Sequence, residues 1–361
     1  MSPEQNIARL FDLGGRVLHV EPHGHGLIND TFVVTTDDNH KAILQRLNRH
    51  VFPRPELINE NLRTLLNHMQ SRQAQNLPAG REWKMPVMFR THEGKYFAVG
   101  SDGGLWRAMS FIEGTRTFDT ITDMTQAEEV GFALGRFHAL VHDLDPAQLY
   151  ETLPGFHNAP GYFARFLRAS ARPQHAAANQ ELLYCLQFVE TRWNLTRVLE
   201  TARREGKLAA RAIHGDTKLN NFLFDINSGK AVSLIDLDTV QPGLIHYDFG
   251  DCLRSCANPA GESPADISTV RFDLDISRAF LKSYLAETRG FLTANDYDYL
   301  YDAIHLIPFE LGLRFLTDHL EGDNYFKSEW RGQNLHRAMV QFRLTENIEH
   351  NERAIKSLVA G

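Results

Sequence analysis

Cysteine is scarce in this 361-residue chain. Cys185, Cys252 and Cys256 are its only three, and their uneven spacing excludes a disulfide framework and fits a reducing compartment. No segment reaches the roughly 20 apolar residues that a membrane-spanning helix needs. The opening Met1-Ser2-Pro3-Glu4-Gln5-Asn6 lacks the cationic start and apolar stretch of a secretory leader, so a cytoplasmic protein without a membrane partner is expected. Basic excess is missing too: 38 Lys and Arg stand against 45 Asp and Glu, a net charge of −7, and no local basic run offers a footprint for a nucleic-acid backbone. Internal repeats and low-complexity tracts are absent. What is present, 43% hydrophobic and 10% aromatic residues, suffices for one large or two moderate cores.

The first hundred or so residues read as short strands, Arg16 to Glu21, Thr31 to Thr36, Ala42 to Leu47, Tyr96 to Gly100 and Leu105 to Phe111, with a helix around Glu56 to Met69. After Phe111-Ile112-Glu113-Gly114 the periodicity turns helical, first through Val130, Leu134, Phe137 and Val141, then through Leu182, Leu186, Val189 and Trp193. The expected division is residues 1–110, a joining segment 111–116, and residues 117–361. The joints at Leu153-Pro154-Gly155 and Ala159-Pro160-Gly161 read as helix connections. A cleft between two such bodies is where a small ligand would bind.

Chemistry concentrates in His214-Gly215-Asp216-Thr217-Lys218-Leu219-Asn220-Asn221. An aspartate five residues before an asparagine on one tight loop can accept a hydroxyl proton while the amide oxygen holds Mg²⁺ beside it. Two β-prone runs around Asn227-Ser228-Gly229 then predict a hairpin that returns Asp236, twenty residues after Asp216, to the same place as a second metal ligand. Asp238 is a neighbouring acid or an additional ligand. Asp248-Phe249-Gly250 spells a metal-binding triplet but lies outside the hairpin. Asp248 is expected to cap a helix over Phe249 to Cys256, or to brace the loop by accepting backbone N–H groups. His214 is expected to brace the loop through hydrogen bonds. These parts point to metal-assisted phosphoryl transfer with ATP and Mg²⁺.

Three further regions bear on the ligands. Between the first two strands, Gly24 and Gly26 would let backbone N–H groups approach phosphate oxygens, although a G-x-G pair is usually a plain turn. In the joining segment, backbone groups near Phe111 and Glu113 would pair with the edge of adenine. Towards the C-terminus, Arg314 shares a helical stripe with Ile307, Leu311 and Phe315, and either pairs with Glu310 or Asp318 or faces a pocket. Tyr325 offers a face for a sugar ring. His138 with His142, and Cys252 with Cys256, are spaced to share helix faces and read as structural pairs, and the acids after Ser255 read as a solvated stretch.

The stretch from His214 to Arg254 resembles the aminoglycoside phosphotransferase and choline kinase superfamily. The resemblance implies an α+β, bilobal protein-kinase-like fold, with a small β-rich N-terminal lobe that binds nucleotide and a larger, mainly helical C-terminal lobe. The runs Gly24 to Thr31, Ile43 to Asn48, His214 to Asn221, Ile235 to Thr239, Asp248 to Asp251 and Leu313 to Leu316 more narrowly resemble the bacterial N-acetylhexosamine 1-kinases. That likeness implies phosphorylation of the anomeric hydroxyl of N-acetylglucosamine or N-acetylgalactosamine by a monomer or small homo-oligomer. Asp216 would take or orient the proton, and Arg314 would hold sugar hydroxyls or orient Asp216. A kinase-like fold usually carries a lysine on the third strand. Here Gln45 stands at that position, so Mg²⁺ is expected to neutralise more of the phosphate charge. Two alternatives stay open: a kinase for an unacetylated hexosamine, amino alcohol or aminoglycoside, and a nucleotide-binding pseudokinase.

Overall fold

The computed structural model describes residues 2–24, 28–72, 78–171 and 179–360. The five strands β1 (Val17–Pro22), β2 (Asp30–Thr36), β3 (Lys41–Leu47), β4 (Ala98–Val99) and β5 (Leu105–Ser110) form an antiparallel sheet in the order β1-β2-β3-β5-β4. Alternation along each strand gives the sheet two faces. One face sets Val34, Ala42, Leu44, Trp106 and Ala108 against Ala8, Phe11 and Leu13, beside the short helix α1 (Pro3–Ala8). Gln45 opposes Arg107 across the β3–β5 register, on the other face.

Helix α2 (Glu56–Arg72) covers part of that second face. Its Ile58 packs with Leu47 and Leu105, while Leu62, Leu65 and Met69 enter the large helical core, so one amphipathic helix ties the sheet to the rest. The chain leaves the sheet after Ser110, and β6 (Thr115–Arg116) already pairs with a strand of the second body.

The second body holds α3 (Met124–Val141), α4 (Ala159–Ser170), α5 (Gln180–Arg192), α6 (Val198–Arg204), α7 (Ile245–Cys256), α8 (Leu274–Thr288), α9 (Ala294–Asp298), α10 (Leu300–Glu321), α11 (Gln333–His350) and α12 (Glu352–Val359). Asp123, Asn158, Asn179 and Asp273 start α3, α4, α5 and α8 by accepting N–H groups of the first turn. Helices α7 and α10 touch through Gly250, where a Cβ would stand 2.5 Å from the Ala303 carbonyl oxygen. Two small sheets are set among these helices: β7 (Arg211–Ile213) with β10 (Gln241–Gly243), and the hairpin β8 (Phe222–Asp225) and β9 (Ala231–Leu234) extended by β6.

The fold is therefore α+β, an antiparallel sheet followed by a mainly helical part, as expected. One helix start differs. Residues 241–243 form a strand, and the helix expected from Phe249 begins at Ile245 behind Leu244, which gives no side-chain cap. Asp248 consequently lies within the first turn and caps nothing. Cys252 and Cys256 are buried with sulfurs 3.9 Å apart. Among the described residues no helix is long and apolar enough to cross a membrane.

Candidate active site

The loop after β7 is held from below by one carboxylate. Asp248, fully buried, accepts the N–H of His214 and the N–H of Gly215 at 2.7 Å each, and its own carbonyl accepts the Thr217 hydroxyl at 2.6 Å. His138 Nε2 approaches the same carboxylate at 3.0 Å, with its other nitrogen 3.0 Å from the Tyr284 hydroxyl. Burial by itself would raise the Asp248 pKa, but the His138 contact and the His214 N–H outweigh it and hold the group below its ordinary value. Bracing is thus what Asp248 does. Gly215 is required here: its φ is +87°, and a Cβ would meet the Thr239 carbonyl oxygen at 2.8 Å.

His214 joins the two halves of the motif. Its Nε2 lies 2.9 Å from the Ile235 carbonyl and its Nδ1 accepts the Asp216 N–H at 3.2 Å, which assigns the proton to Nε2. The Ile235 N–H donates to the Asn221 carbonyl at 2.9 Å. Asp216 receives Lys218 Nζ at 2.6 Å on Oδ2. Burial raises the Asp216 carboxyl, and the Lys218 ammonium more than reverses this, leaving it below the usual range. Lys218 is raised in turn by Asp216, against the effect of its own burial.

Asn221 Nδ2 donates to the Asp216 carbonyl at 2.7 Å, which turns Oδ1 away from that bond as an oxygen suited to a hard cation. Asp236 follows β9 in the left-handed conformation, φ +64°. Its side chain stays open to solvent, yet desolvation by the surrounding protein, followed by the negative charge of Asp238, pushes it up to about 6. No cluster of three or more His, Cys, Asp and Glu side chains among the described residues is placed to hold a metal. One carboxylate and one carboxamide fit a Mg²⁺ that takes its remaining ligands from phosphate and water, as this ion commonly does.

Asp238 is not free to be an extra ligand. One of its oxygens accepts Arg107 Nη2 and the other accepts Asn29 Nδ2 at 2.6 Å, so both are engaged by residues of the first sheet. Arg107 also grips Gln45 Oε1 with Nε at 3.1 Å and Nη2 at 2.7 Å, and Gln45 Nε2 donates to the Thr31 hydroxyl at 3.2 Å. Arg46, on the opposite face, pairs with Asp102 at 2.5 Å. The third strand has no cation at position 45, but Arg107 brings one beside Gln45 from β5. Nothing in the spacing of Arg107, Asn29 and Asp238 along the chain marks them as partners.

Gly24 adopts φ +70° before the turn, while Gly26 lies outside the described residues. The Phe111 N–H donates to the Lys41 carbonyl at 3.3 Å, so that group is already used. Glu113 is exposed at the following turn. Both residues line a cavity of about 480 Å³ with Leu13, Thr36 and Ala42, which is chiefly on the far side of the sheet from Gln45.

On α10, Arg314 sits among three rings, with its guanidinium carbon 5.3 Å from the Phe156 centroid, 5.2 Å from Tyr162 and 5.4 Å from Phe326. No carboxylate among the described residues forms an ion pair with it. Glu310 instead binds His157 Nδ1 at 2.9 Å, and Asp318 accepts the N–H groups of Asn324, Tyr325 and Phe326. Tyr325 is 43% exposed beside Phe326. His157 Nε2 reaches the Gly215 carbonyl at 3.2 Å and so connects the acceptor side to the loop. It stands between the joints Leu153-Pro154-Gly155 and Ala159-Pro160-Gly161, where no sequence signal marks it.

Residues 19–284 match the Phosphotransferase enzyme family. The chain belongs to that family. Among solved structures, this phosphotransferase-family chain is similar to an aminoglycoside phosphotransferase from Alicyclobacillus acidocaldarius, at 16% identity and TM-score 0.61 over 99% of this chain and 96% of the other. It is also similar to a microcompartment-associated aminopropanol kinase, at 14% identity and TM-score 0.56 over 98% and 97% of the two chains. A third likeness is to the amicoumacin kinase hAmiN in complex with AMP-PNP and Ca²⁺, at 16% identity and TM-score 0.57 over 92% and 88%. These likenesses establish the shared fold.

Proposed function

We propose that this chain is an ATP- and Mg²⁺-dependent kinase that phosphorylates the anomeric hydroxyl of an N-acetylhexosamine to give the sugar 1-phosphate. Residues 1–110 are the nucleotide-binding lobe in this reading, 111–116 the hinge and 117–361 the catalytic and acceptor-binding lobe. What supports it is that the Asn221 side-chain amide donates to the Asp216 carbonyl at 2.7 Å, while the Ile235 N–H, one residue before Asp236, donates to the Asn221 carbonyl at 2.9 Å. When bound, Mg²⁺ would be held by Asn221 and Asp236 and would neutralise charge on the triphosphate.

The acceptor oxygen attacks the γ-phosphorus, the bond to the β–γ bridging oxygen breaks, and ADP departs with that electron pair. Asp216 takes the hydroxyl proton. The lowered Asp216 pKa keeps it ionised at neutral pH, and Lys218 holds it in place. Arg314, caged by rings and without a carboxylate partner, is suited to sugar hydroxyls or an acyl oxygen, and Tyr325 to a ring face.

An acceptor bearing an amine is the second reading. It is favoured by two buried carboxylate oxygens, Asp251 Oδ2 and Glu310 Oε2, that lack hydrogen-bond partners among the described residues. A panel of N-acetylhexosamines, hexosamines and amino alcohols with ATP and Mg²⁺, with product phosphorus NMR, separates the two. An anomeric phosphate on an N-acetylated sugar supports the first reading. Turnover of amines alone overturns it in favour of the second.

A further inference from the structure

A guanidinium packed inside a strand is costly unless each of its N–H groups is used, since a buried donor without a partner forfeits its hydration. Arg107 is 1% exposed in the middle of β5, between Trp106 and Ala108. Nε and Nη2 grip Gln45, and Nη2 reaches Asp238 as well, but Nη1 is buried with no partner among the described residues.

Its neighbours fix where this occurs. Gln45 opposes Arg107 in the β3–β5 register and occupies the place at which a kinase-like third strand presents its lysine. Asp238 lies two residues beyond Asp236, and its second oxygen accepts Asn29 from the turn between β1 and β2. The guanidinium therefore stands where Asn29, the third strand and the segment carrying Asp236 meet.

Resting on the nucleotide-binding reading given above, we propose that Arg107 Nη1 donates to a phosphate oxygen of the bound nucleotide, so that β5 supplies the cation that β3 does not carry at Gln45. Gln45 and Asp238 hold the guanidinium plane, and the nucleotide completes its hydrogen bonding. Asp238 has a double part, since the contact that fixes Arg107 also pins the segment carrying Asp236.

Titration calorimetry with adenosine and with Mg·ADP tests this on wild type, Arg107→Met and the double variant Arg107→Met with Gln45→Lys. Arg107→Met is expected to weaken ADP binding by about 10- to 100-fold, the size of one charge-assisted hydrogen bond, while adenosine affinity changes by less than about twofold. Gln45→Lys in that background is expected to recover most of the loss by placing a cation at position 45 of the third strand. Unchanged ADP affinity overturns the proposal, as does an equal loss for adenosine and ADP, which would show that Arg107 only aligns the sheet. If wild type binds neither ligand, the nucleotide reading itself fails. Should Arg107→Met not fold, Arg107→Lys is the comparison: an ADP-specific loss of about two- to tenfold supports the assignment, and unchanged ADP affinity or a loss shared by adenosine removes it.

Discussion

His138 Nε2 and Asp248 Oδ2 meet at 3.0 Å with neither side chain exposed, and this contact anchors the loop bearing Asp216 to helix α3. Asp248→Ala removes the acceptor for two backbone N–H groups and leaves His138 without its partner. A loss of about 3–5 kcal/mol in unfolding free energy is expected from denaturant titration. Because the folded Asp248 pKa lies below its unfolded value, its contribution is present above about pH 4 and disappears as pH falls through the folded pKa. The difference between wild type and Asp248→Asn should therefore shrink with acidification.

Asp216→Asn is expected to fold and bind nucleotide as wild type does, with kcat lower by about 10²- to 10⁴-fold. Near-normal turnover would remove Asp216 from proton transfer.

Lys218→Met addresses how Asp216 stays ionised. The Lys218 ammonium holds that carboxyl below its ordinary value, so its removal raises the Asp216 pKa. The acid limb of the kcat/KM profile should move to higher pH, with activity at alkaline pH much less affected. An unmoved limb would show that another group sets it.

Desolvation, followed by the charge of Asp238, pushes the Asp236 carboxyl up to about 6 in the free protein. Its folded pKa exceeds the unfolded value, so the free protein loses stability from this group as pH rises from about 4 through 6. A metal needs the deprotonated form, so Mg²⁺-dependent nucleotide affinity should increase over that range and level off above it. Titrating wild type against Asp236→Asn with the same nucleotide cancels the phosphate's own ionisation. Parallel pH curves would assign the metal to other groups.

Arg314→Ala is expected to raise the acceptor KM by about 10- to 100-fold with little change in the nucleotide KM, as suits loss of a charged hydrogen bond to the acceptor. A defect confined to thermal stability would reduce Arg314 to a packing role among Phe156, Tyr162 and Phe326.

Local signals made much of this legible. The strand expected over Ala42 to Leu47 is Lys41–Leu47, and the hairpin around Asn227-Ser228-Gly229 was anticipated from its apolar runs. Arg107 escaped notice because its partners come from elsewhere: Gln45 is 62 residues away and Asp238 is 131. A usable signal existed, since an arginine between Trp106 and Ala108 in an apolar strand must have a buried partner. His157 left no such trace, because its left-handed backbone and its bond to Glu310 depend on where α4 and α10 pack. Glu262, one of the acids after Ser255 that read as a solvated stretch, is 53% exposed and also pairs with buried Arg254 at 2.8 Å.

The backbone at Asp236 sets endurance against chemistry. A left-handed residue at φ +64° is more comfortable as glycine, which relieves the steric cost of a Cβ and removes a carboxylate crowded by Asp238. Selection of variants for heat resistance alone would drift toward Asp236→Gly, enriching robust proteins that, with Asp236 as the proposed metal ligand, no longer turn over. Thermostabilisation of this scaffold must therefore be scored by catalysis in every round.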